Sequence, residues 1–299
     1  MFKRIFFFAL VNIGVIVTVS IVMSLLGIQP YLTQAGLNYE SLLIFCLIWG
    51  MAGSFISLLI SKKMAKWMMG VQIIDPNTGG EYGELVRTVH RLAKGAGLEK
   101  MPEVGVYPGQ ELNAFATGPS KNNSLVAVSQ GLLRNMTRDE VEGVLGHEVA
   151  HIANGDMVTM TLIQGVVNAF VMFFARIAAY AVQQFLRGDE EEGQGVGGLA
   201  YMFTVIVFEI LFGLLGAMVT AWFSRHREFR ADAGGARLAG RPKMEAALQR
   251  LRSATGVVQD DGMAVQTLKI SGKPSKFVSL FSTHPPLELR IERLRQFAS

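Results

Sequence analysis

Two histidines four residues apart, His147 and His151, have the types and spacing that suit metal chemistry. On an α-helix, side chains at i and i+4 lie on one face, one turn apart, so both imidazoles could bind a single metal ion. Glu148 points about 100° around the helix from His147, which suits action on a water molecule beside the metal better than ligation. The resulting pattern H-E-x-x-H is typical of zinc-dependent peptidases. The alternative interpretation is a pair of ordinary helix histidines.

Capping residues predict the helix that must carry this motif. Thr137 and Glu140 have the spacing of a capping box, which places the N-terminus of the helix near Thr137. Asn154 and Gly155 form a suitable C-terminal stop. We therefore expect a metal-binding helix over 138–154, with both histidines in its second half.

A third metal ligand must come from elsewhere, because a catalytic zinc site takes three protein ligands and leaves a position open. The stretch from Ser224 to Asp232 offers Glu228 and Asp232 at i and i+4. One carboxylate could bind zinc while the other accepts a hydrogen bond from a ligating imidazole. His226 is a rival ligand, but it would face away from Glu228 on a helix, so both cannot serve. The alternative is a charged helix end, solvated at a membrane surface.

The composition indicates a membrane protein with a polar domain attached. The chain has 299 residues, 50% of them hydrophobic, and a mean hydropathy of +0.33, which is too apolar for an ordinary soluble enzyme. Its net charge of +4 is better explained by membrane topology than by binding of nucleic acid. Cys46 is the single cysteine, so no disulfide framework is expected and the catalytic part is predicted to face a reducing compartment.

Two uncharged stretches near the N-terminus, 5–28 and 41–61, are each long enough to cross a bilayer of about 30 Å. Basic residues precede the first stretch and, from Lys62, follow the second, whereas the loop between them has no Lys or Arg. The positive-inside rule therefore predicts that the N-terminus and the chain after Lys62 lie in the cytoplasm. The first stretch is too long for a signal-peptide core, so we expect an uncleaved anchor.

Two further apolar stretches, 157–186 and 197–223, flank an acidic loop over 187–194. Their length and flanking charges predict a third and fourth membrane helix, with the loop on the outer side. A buried hairpin within a soluble core and shallow membrane insertion are the alternatives. Arg176 and Glu209 are costly in lipid and lie at similar depths, so we hypothesise that they pair or line a wet cleft leading to the metal.

Between the membrane stretches, residues 67–156 are typical of a soluble α+β part. We expect a helix over 84–92 and strands over 70–75, 103–107, 113–117 and 125–129, the last two joined by a turn at 118–123.

The chain is thus predicted to be mainly helical, with about four transmembrane helices and an α+β domain. The predicted divisions are a pair of membrane helices in 1–66, a cytoplasmic α+β part in 67–156, a membrane hairpin in 157–223, and a helical C-terminal part with the third zinc ligand in 224–299.

These motifs together resemble the HtpX group of integral-membrane zinc metallopeptidases, bacterial relatives of the CAAX-prenyl endopeptidases. The resemblance covers essentially the whole chain. It rests on His147-Glu148-x-x-His151, Ser224-Arg225-x-x-Glu228-x-x-Ala231-Asp232, the segment from Leu112 to Gly118, Gly155-Asp156, and the segment from Ser282 to Pro286.

The resemblance implies a gluzincin-type domain with one Zn²⁺ ion per subunit, Glu228 as third ligand and Glu148 as general base. It implies a multi-pass protein of the bacterial inner membrane whose peptidase domain faces the cytoplasm and cleaves misfolded or damaged membrane proteins without ATP. It makes His284 and Arg290 candidates for stabilising the oxyanion. It also suggests that Asn113, Ala114, Phe115 and Ala116 form an edge strand along which substrate lies.

Two other functions have to be weighed. A non-proteolytic, zinc-binding membrane chaperone or regulator would not need Glu148, so the complete motif argues against it. A transporter would explain charges inside the membrane stretches, but about four spans and a large soluble domain make it a poor fit.

Overall fold

The computed structural model describes residues 21, 32–33, 36–187, 198–261 and 280–296. Apart from Ile21, the predicted first membrane stretch, 5–28, lies outside these residues, and so does the acidic loop after Arg187. The part of the chain that is described is mainly helical, as predicted, and contains a short two-stranded ladder of β1 (Leu32–Thr33) and β2 (Gly36–Leu37) and one larger sheet.

Contacts divide the chain into two compact units, and the first comprises Met1–Ser57 and Met160–Thr220. Its helical parts belong to α1 (Tyr39–Met68), α5 (Asp156–Arg187) and α6 (Gly198–Ala239). These three helices are long and apolar enough to cross a membrane, judged by length and composition.

Helix α6 is longer than the stretch that the sequence predicts. It runs from Gly198 without a break through the predicted boundary at 223/224. Charged residues begin just after that boundary, but no glycine or proline occurs between Ala217 and Ala233 to end the helix. The charged motif that ends at Asp232 therefore continues the helix that the apolar stretch begins.

Small residues and one ion pair hold the described part of the first unit together. A side chain on Gly50 would lie 2.7 Å from main-chain atoms of Gly165 and Ala169, so the two helices pack closely there. The hypothesised pairing of Arg176 with Glu209 is present, with 2.9 Å between Nη1 and Oε1. The guanidinium also lies over the ring of Phe45, 5.6 Å from its centroid.

The second unit, Leu58–Thr159 and Ala221–Ser299, contains a four-stranded sheet. The strands lie in the order β3-β4-β6-β5, where β4 and β6 are parallel and the other neighbours antiparallel. Their bounds are β3 (Gln72–Ile73), β4 (Glu103–Tyr107), β5 (Ala114–Ser120) and β6 (Asn123–Ser129). The predicted strand at 103–107 matches β4, whereas β3 is shorter than predicted and the hairpin of β5 and β6 is longer.

Helices complete this unit around an apolar core. They are α2 (Gly80–Gly95), α3 (Gln130–Asn135), α4 (Arg138–Asn154), α7 (Arg241–Asp261) and α8 (Leu287–Gln296), together with the ends of α1, α5 and α6. The core lies between the sheet, α2 and α4, with Val89, Val126, Leu132, Leu145 and Ile152 almost fully buried. Packing against this core fixes the position of α4, the helix that carries His147 and His151.

Both ends of α4 are set by the predicted capping residues. The Glu140 amide donates to the Thr137 hydroxyl (3.4 Å) and the Thr137 amide donates to the Glu140 carboxylate (2.7 Å), which completes the capping box. At the other end Gly155 has a left-handed conformation with φ of 71°. The chain turns there, and α5 starts at the next residue, Asp156.

Candidate metal centre

Three predicted ligand atoms converge in the second unit. The Nε2 atoms of His147 and His151 are 3.1 Å apart, and the Glu228 oxygens lie 3.6 Å and 3.3 Å from them. All three side chains are buried, and their ligand atoms lie within 4.8 Å of one another. His226, the rival ligand, is exposed on the opposite side of α6, where its Nδ1 contacts the Trp222 carbonyl at 3.1 Å. The structure thus brings Glu228, and not His226, to the histidines.

Each histidine has a carboxylate behind it. Asp232 Oδ1 lies 3.0 Å from Nδ1 of His147, and Asp156 Oδ2 lies 2.6 Å from Nδ1 of His151. An Nδ1–H that donates to a carboxylate leaves the lone pair of a neutral imidazole on Nε2. The two lone pairs and the Glu228 carboxylate then face one another, which is unfavourable unless a cation lies among them. This donor set therefore fits a metal ion.

The same geometry raises the pKa of both histidines. Burial lowers the pKa of His147, but hydrogen bonds to Asp232 and Glu228 outweigh it and raise the pKa to about 9. The pKa of His151 is also raised, because hydrogen bonds to Asp156 and Glu228 outweigh its burial. A metal ion entering the site must therefore displace protons.

Arginines neutralise the supporting carboxylates. Arg290 donates from Nε (2.8 Å) and Nη2 (2.6 Å) to the two oxygens of Asp232, and its Nη1 lies 3.3 Å from Glu228. On the other flank, Arg230 donates to Asp156 Oδ1 at 2.6 Å. Arg290 is buried, so its charge is largely committed to these two carboxylates.

His284 contacts the ligand carboxylate from the open side. Its Nδ1 lies 2.8 Å from Glu228 Oε2, and its side chain is 64% exposed. Because Nδ1 contacts Glu228, the Nε2 atom of the ring remains available to contact a group outside the ligand cluster.

A pocket of about 140 Å³ opens beside the ligands. It has a polar end at His147, Glu148, Glu228, His284 and Arg290, with Asn113 and Ala114 on one wall. The other walls are apolar and consist of Leu112, Leu132, Val144, Met244, Ala247, Leu248 and Leu251.

Strand β5 brings the predicted substrate strand to this pocket. It is the last strand of the sheet, so its outer side has no strand partner among the described residues. The Ser129 amide donates to the Asn113 carbonyl at 2.9 Å, next to the pair Ala114–Val128. Because hydrogen-bonded and non-hydrogen-bonded pairs alternate in an antiparallel ladder, the main-chain groups of Ala114 and Ala116 point away from β6. Phe115 lies between them and pairs with Ala127.

The sequence predictions did not include Asp156 and Arg230 among the site residues. Asp156 directly follows the predicted helix stop at Gly155, and this position next to the metal-binding helix was the available indication of its role. Arg230 contacts it from 74 positions further along the chain. No local pattern connects residues so far apart.

The comparisons with known proteins show which family the chain belongs to. The family model for peptidase family M48 matches residues 81–298. The Protease HtpX homolog of Janthinobacterium sp. (strain Marseille) is 54% identical to this chain, and that of Bacillus subtilis (strain 168) is 53% identical. Each alignment covers 98% of this chain and 99% of the relative.

A solved structure shares the fold. The crystal structure of S. mikatae Ste24p superposes with a TM-score of 0.66 at 16% sequence identity. The match covers 98% of this chain and 65% of the Ste24p chain. The shared family, the convergent His-His-Glu cluster and the long apolar helices lead to one conclusion: the chain belongs to peptidase family M48 and, within it, to the HtpX group of membrane metallopeptidases.

Proposed function

We propose that this chain is a zinc endopeptidase in which His147, His151 and Glu228 hold one Zn²⁺ ion. The observation that carries the proposal is the convergence of two imidazoles and one carboxylate within 4.8 Å. Nitrogen donors favour zinc over calcium or magnesium, and three protein ligands leave a position for chemistry. Asp232 and Asp156 support the ligands by accepting hydrogen bonds from the outer nitrogens of His147 and His151.

The chemistry follows from the groups at the polar end of the pocket. Bound zinc would lower the pKa of a water molecule and polarise the scissile carbonyl. Glu148 lines the same pocket as His147 and Glu228, so its carboxylate would be placed to take a proton from the attacking water and to pass it to the leaving amine. A purely structural metal site would not need this carboxylate, which argues against a non-proteolytic chaperone or regulator.

Substrate would lie along the open edge of β5. The outward N–H and C=O groups of Ala114 and Ala116 would pair with an extended peptide main chain, with Asn113 and Phe115 flanking them. Pairing through the main chain needs no particular sequence. The apolar walls of the pocket, including Leu132 and Leu248, would accept an apolar side chain of that peptide.

His284 and Arg290 would act on the oxyanion in different ways. As an imidazolium, His284 would donate from Nδ1 to Glu228 and from its exposed Nε2–H to the developing negative charge. Arg290 would act indirectly, because it balances the charge of Asp232 and Glu228 and holds both carboxylates in place.

The setting supports membrane-protein quality control. We place the chain in the bacterial inner membrane with four spans, namely the three long apolar helices and the uncharged stretch 5–28, which is inferred from the sequence. Lys62, Lys63 and Lys66, near the end of α1, favour a cytoplasmic peptidase domain under the positive-inside rule. Misfolded or damaged membrane proteins would expose the extended, apolar segments that this pocket and strand suit.

The proposal is tested with the purified full-length chain in detergent, an unfolded protein as substrate, and Zn²⁺. We expect cleavage within the substrate chain that a chelator blocks and added zinc restores. Glu148→Gln should keep its zinc and lose cleavage by about 10³-fold or more, since it removes the base. Glu81→Gln, an exposed glutamate on α2, is the matched control. Full activity of Glu148→Gln would remove the base assignment, and cleavage insensitive to chelation would refute the metal mechanism.

A further inference from the structure

We infer that Arg225 is a positioning residue, which fixes the segment with His284 against the metal centre. This inference rests on the proposed role of His284 above. The Arg225 guanidinium donates from Nη1 to the main-chain carbonyls of Leu280 (3.1 Å) and Ser282 (2.7 Å). These residues lie 55 and 57 positions further along the chain, so one side chain on α6 fastens a distant segment.

Two further contacts connect the hydrogen bonds of Arg225 to His284. The Ser282 hydroxyl donates to the His284 carbonyl at 2.6 Å, and the His284 ring contacts Glu228 at 2.8 Å. Residues 281–286 form neither helix nor strand, so no ladder of main-chain hydrogen bonds fixes them. The position of the imidazole therefore depends on side-chain contacts such as those of Arg225.

Three residues on one face of α6 contact the C-terminal segment in the same order along the helix. Arg225, Glu228 and Asp232 lie at i, i+3 and i+7, on one face of the helix. Arg225 contacts the carbonyls before His284, Glu228 contacts His284, and Asp232 contacts Arg290 on α8. The face that carries a metal ligand thus also docks the segment with the proposed oxyanion donor.

Arg225 is not among the residues that line the pocket, whereas Glu228 and His284 are. The ligands themselves are held by Asp156, Asp232 and Arg290. Loss of Arg225 should therefore misplace His284 and leave the metal site intact. This separation distinguishes a positioning role from a general role in folding.

The test is a double-mutant cycle in the full-length protein. Arg225→Gln, Arg225→Lys and His284→Ala are measured singly, and Arg225→Gln is also combined with His284→Ala. We expect Arg225→Gln to lower kcat by about 10- to 100-fold, with KM and zinc content nearly unchanged. Arg225→Lys should lose less activity than Arg225→Gln, because its ammonium group can still donate a hydrogen bond to one of the two carbonyls. In the His284→Ala background, Arg225→Gln should cost about twofold or less.

Arg227→Gln is the matched control, because this arginine lies on the same helix two positions away, and its kcat should be near that of the parent. An equal fold loss from Arg225→Gln in both backgrounds would overturn the inference, as would loss of zinc together with kcat. Unchanged activity in His284→Ala would also overturn it. A parent protein that holds no zinc or cleaves nothing would instead refute the proposed function, so the two failures are distinguishable.

Discussion

Asp156 contacts the outer nitrogen of His151 at 2.6 Å and is the first residue of the helix that follows the metal-binding helix. The left-handed Gly155 makes this possible, because it ends one helix and lets the next begin at once. Arg230 holds the second oxygen of Asp156. The aspartate thus fixes the orientation of the imidazole and increases its basicity toward a metal.

Asp156→Asn should therefore weaken zinc affinity by about 10- to 100-fold, because the side chain keeps its size but loses its charge. Competition with a zinc chelator measures the change. Asp139→Asn, on the exposed first turn of α4, should bind zinc like the parent. Unchanged affinity in Asp156→Asn would show that this contact does not tune the metal.

The open edge of β5 gives a prediction about substrate binding. Ala114→Pro removes a main-chain N–H that points away from β6, so the sheet should persist while KM for a protein substrate rises about 10-fold. Ala114→Val keeps the N–H and serves as the control. Steady-state kinetics and zinc content are measured on both variants. An unaltered KM in the proline variant would mean that substrate does not pair with this residue.

Glu142 links three helices and should contribute to stability in a pH-dependent way. Partial burial would raise its pKa, but hydrogen bonds to Lys243 on α7 and Arg91 on α2 outweigh it and lower the pKa from 4.5. A lowered folded-state pKa contributes stability above the unfolded-state value, and this contribution disappears as the pH falls below about 4.5.

Glu142→Gln should thus lower the free energy of unfolding by about 0.5–1 kcal/mol at neutral pH, since the pairs are partly exposed. The difference from the parent should shrink as the pH falls below about 4.5, the ordinary pKa of the carboxyl. Thermal unfolding in detergent at several pH values measures it. If the stability difference between Glu142→Gln and the parent grew as the pH fell, the carboxylate would not be the stabilising form and this prediction would be wrong.

The Arg176–Glu209 pair gives a test inside the first unit. Either charge alone in an apolar environment is unfavourable, so Arg176→Leu and Glu209→Leu should each lower the free energy of unfolding by about 1 kcal/mol. The double variant should be more stable than the worse single variant. Thermal unfolding of the three proteins in detergent decides this, and a double variant with additive losses would argue against the pairing.

The sequence predicts the parts of this molecule that depend on local spacing. The capping residues Thr137 and Gly155 predict the ends of α4, and the i, i+4 spacing predicts that His147 and His151 share a face. A helical spacing argument also favours Glu228 or His226 but not both, and packing against α4 selects Glu228.

Contacts between distant segments are not predictable in the same way. Arg290 reaches Asp232 across 58 positions and Arg225 reaches Ser282 across 57. Such pairs depend on how α6 and the C-terminal segment pack, and one sequence contains no local pattern that encodes this. The stretch that ends at 223 marks where apolar residues give way to charged ones, and this change alters the environment of α6 without ending the helix.

Zinc content is the measurement that tests the central claim most directly. The parent protein, Glu228→Ala and His226→Ala are purified in detergent at neutral pH, dialysed against metal-free buffer, and analysed for bound zinc. The account predicts about one zinc per chain in the parent and in His226→Ala, and little in Glu228→Ala. A parent that retains no zinc, or a Glu228→Ala variant that retains it while His226→Ala does not, would contradict the account.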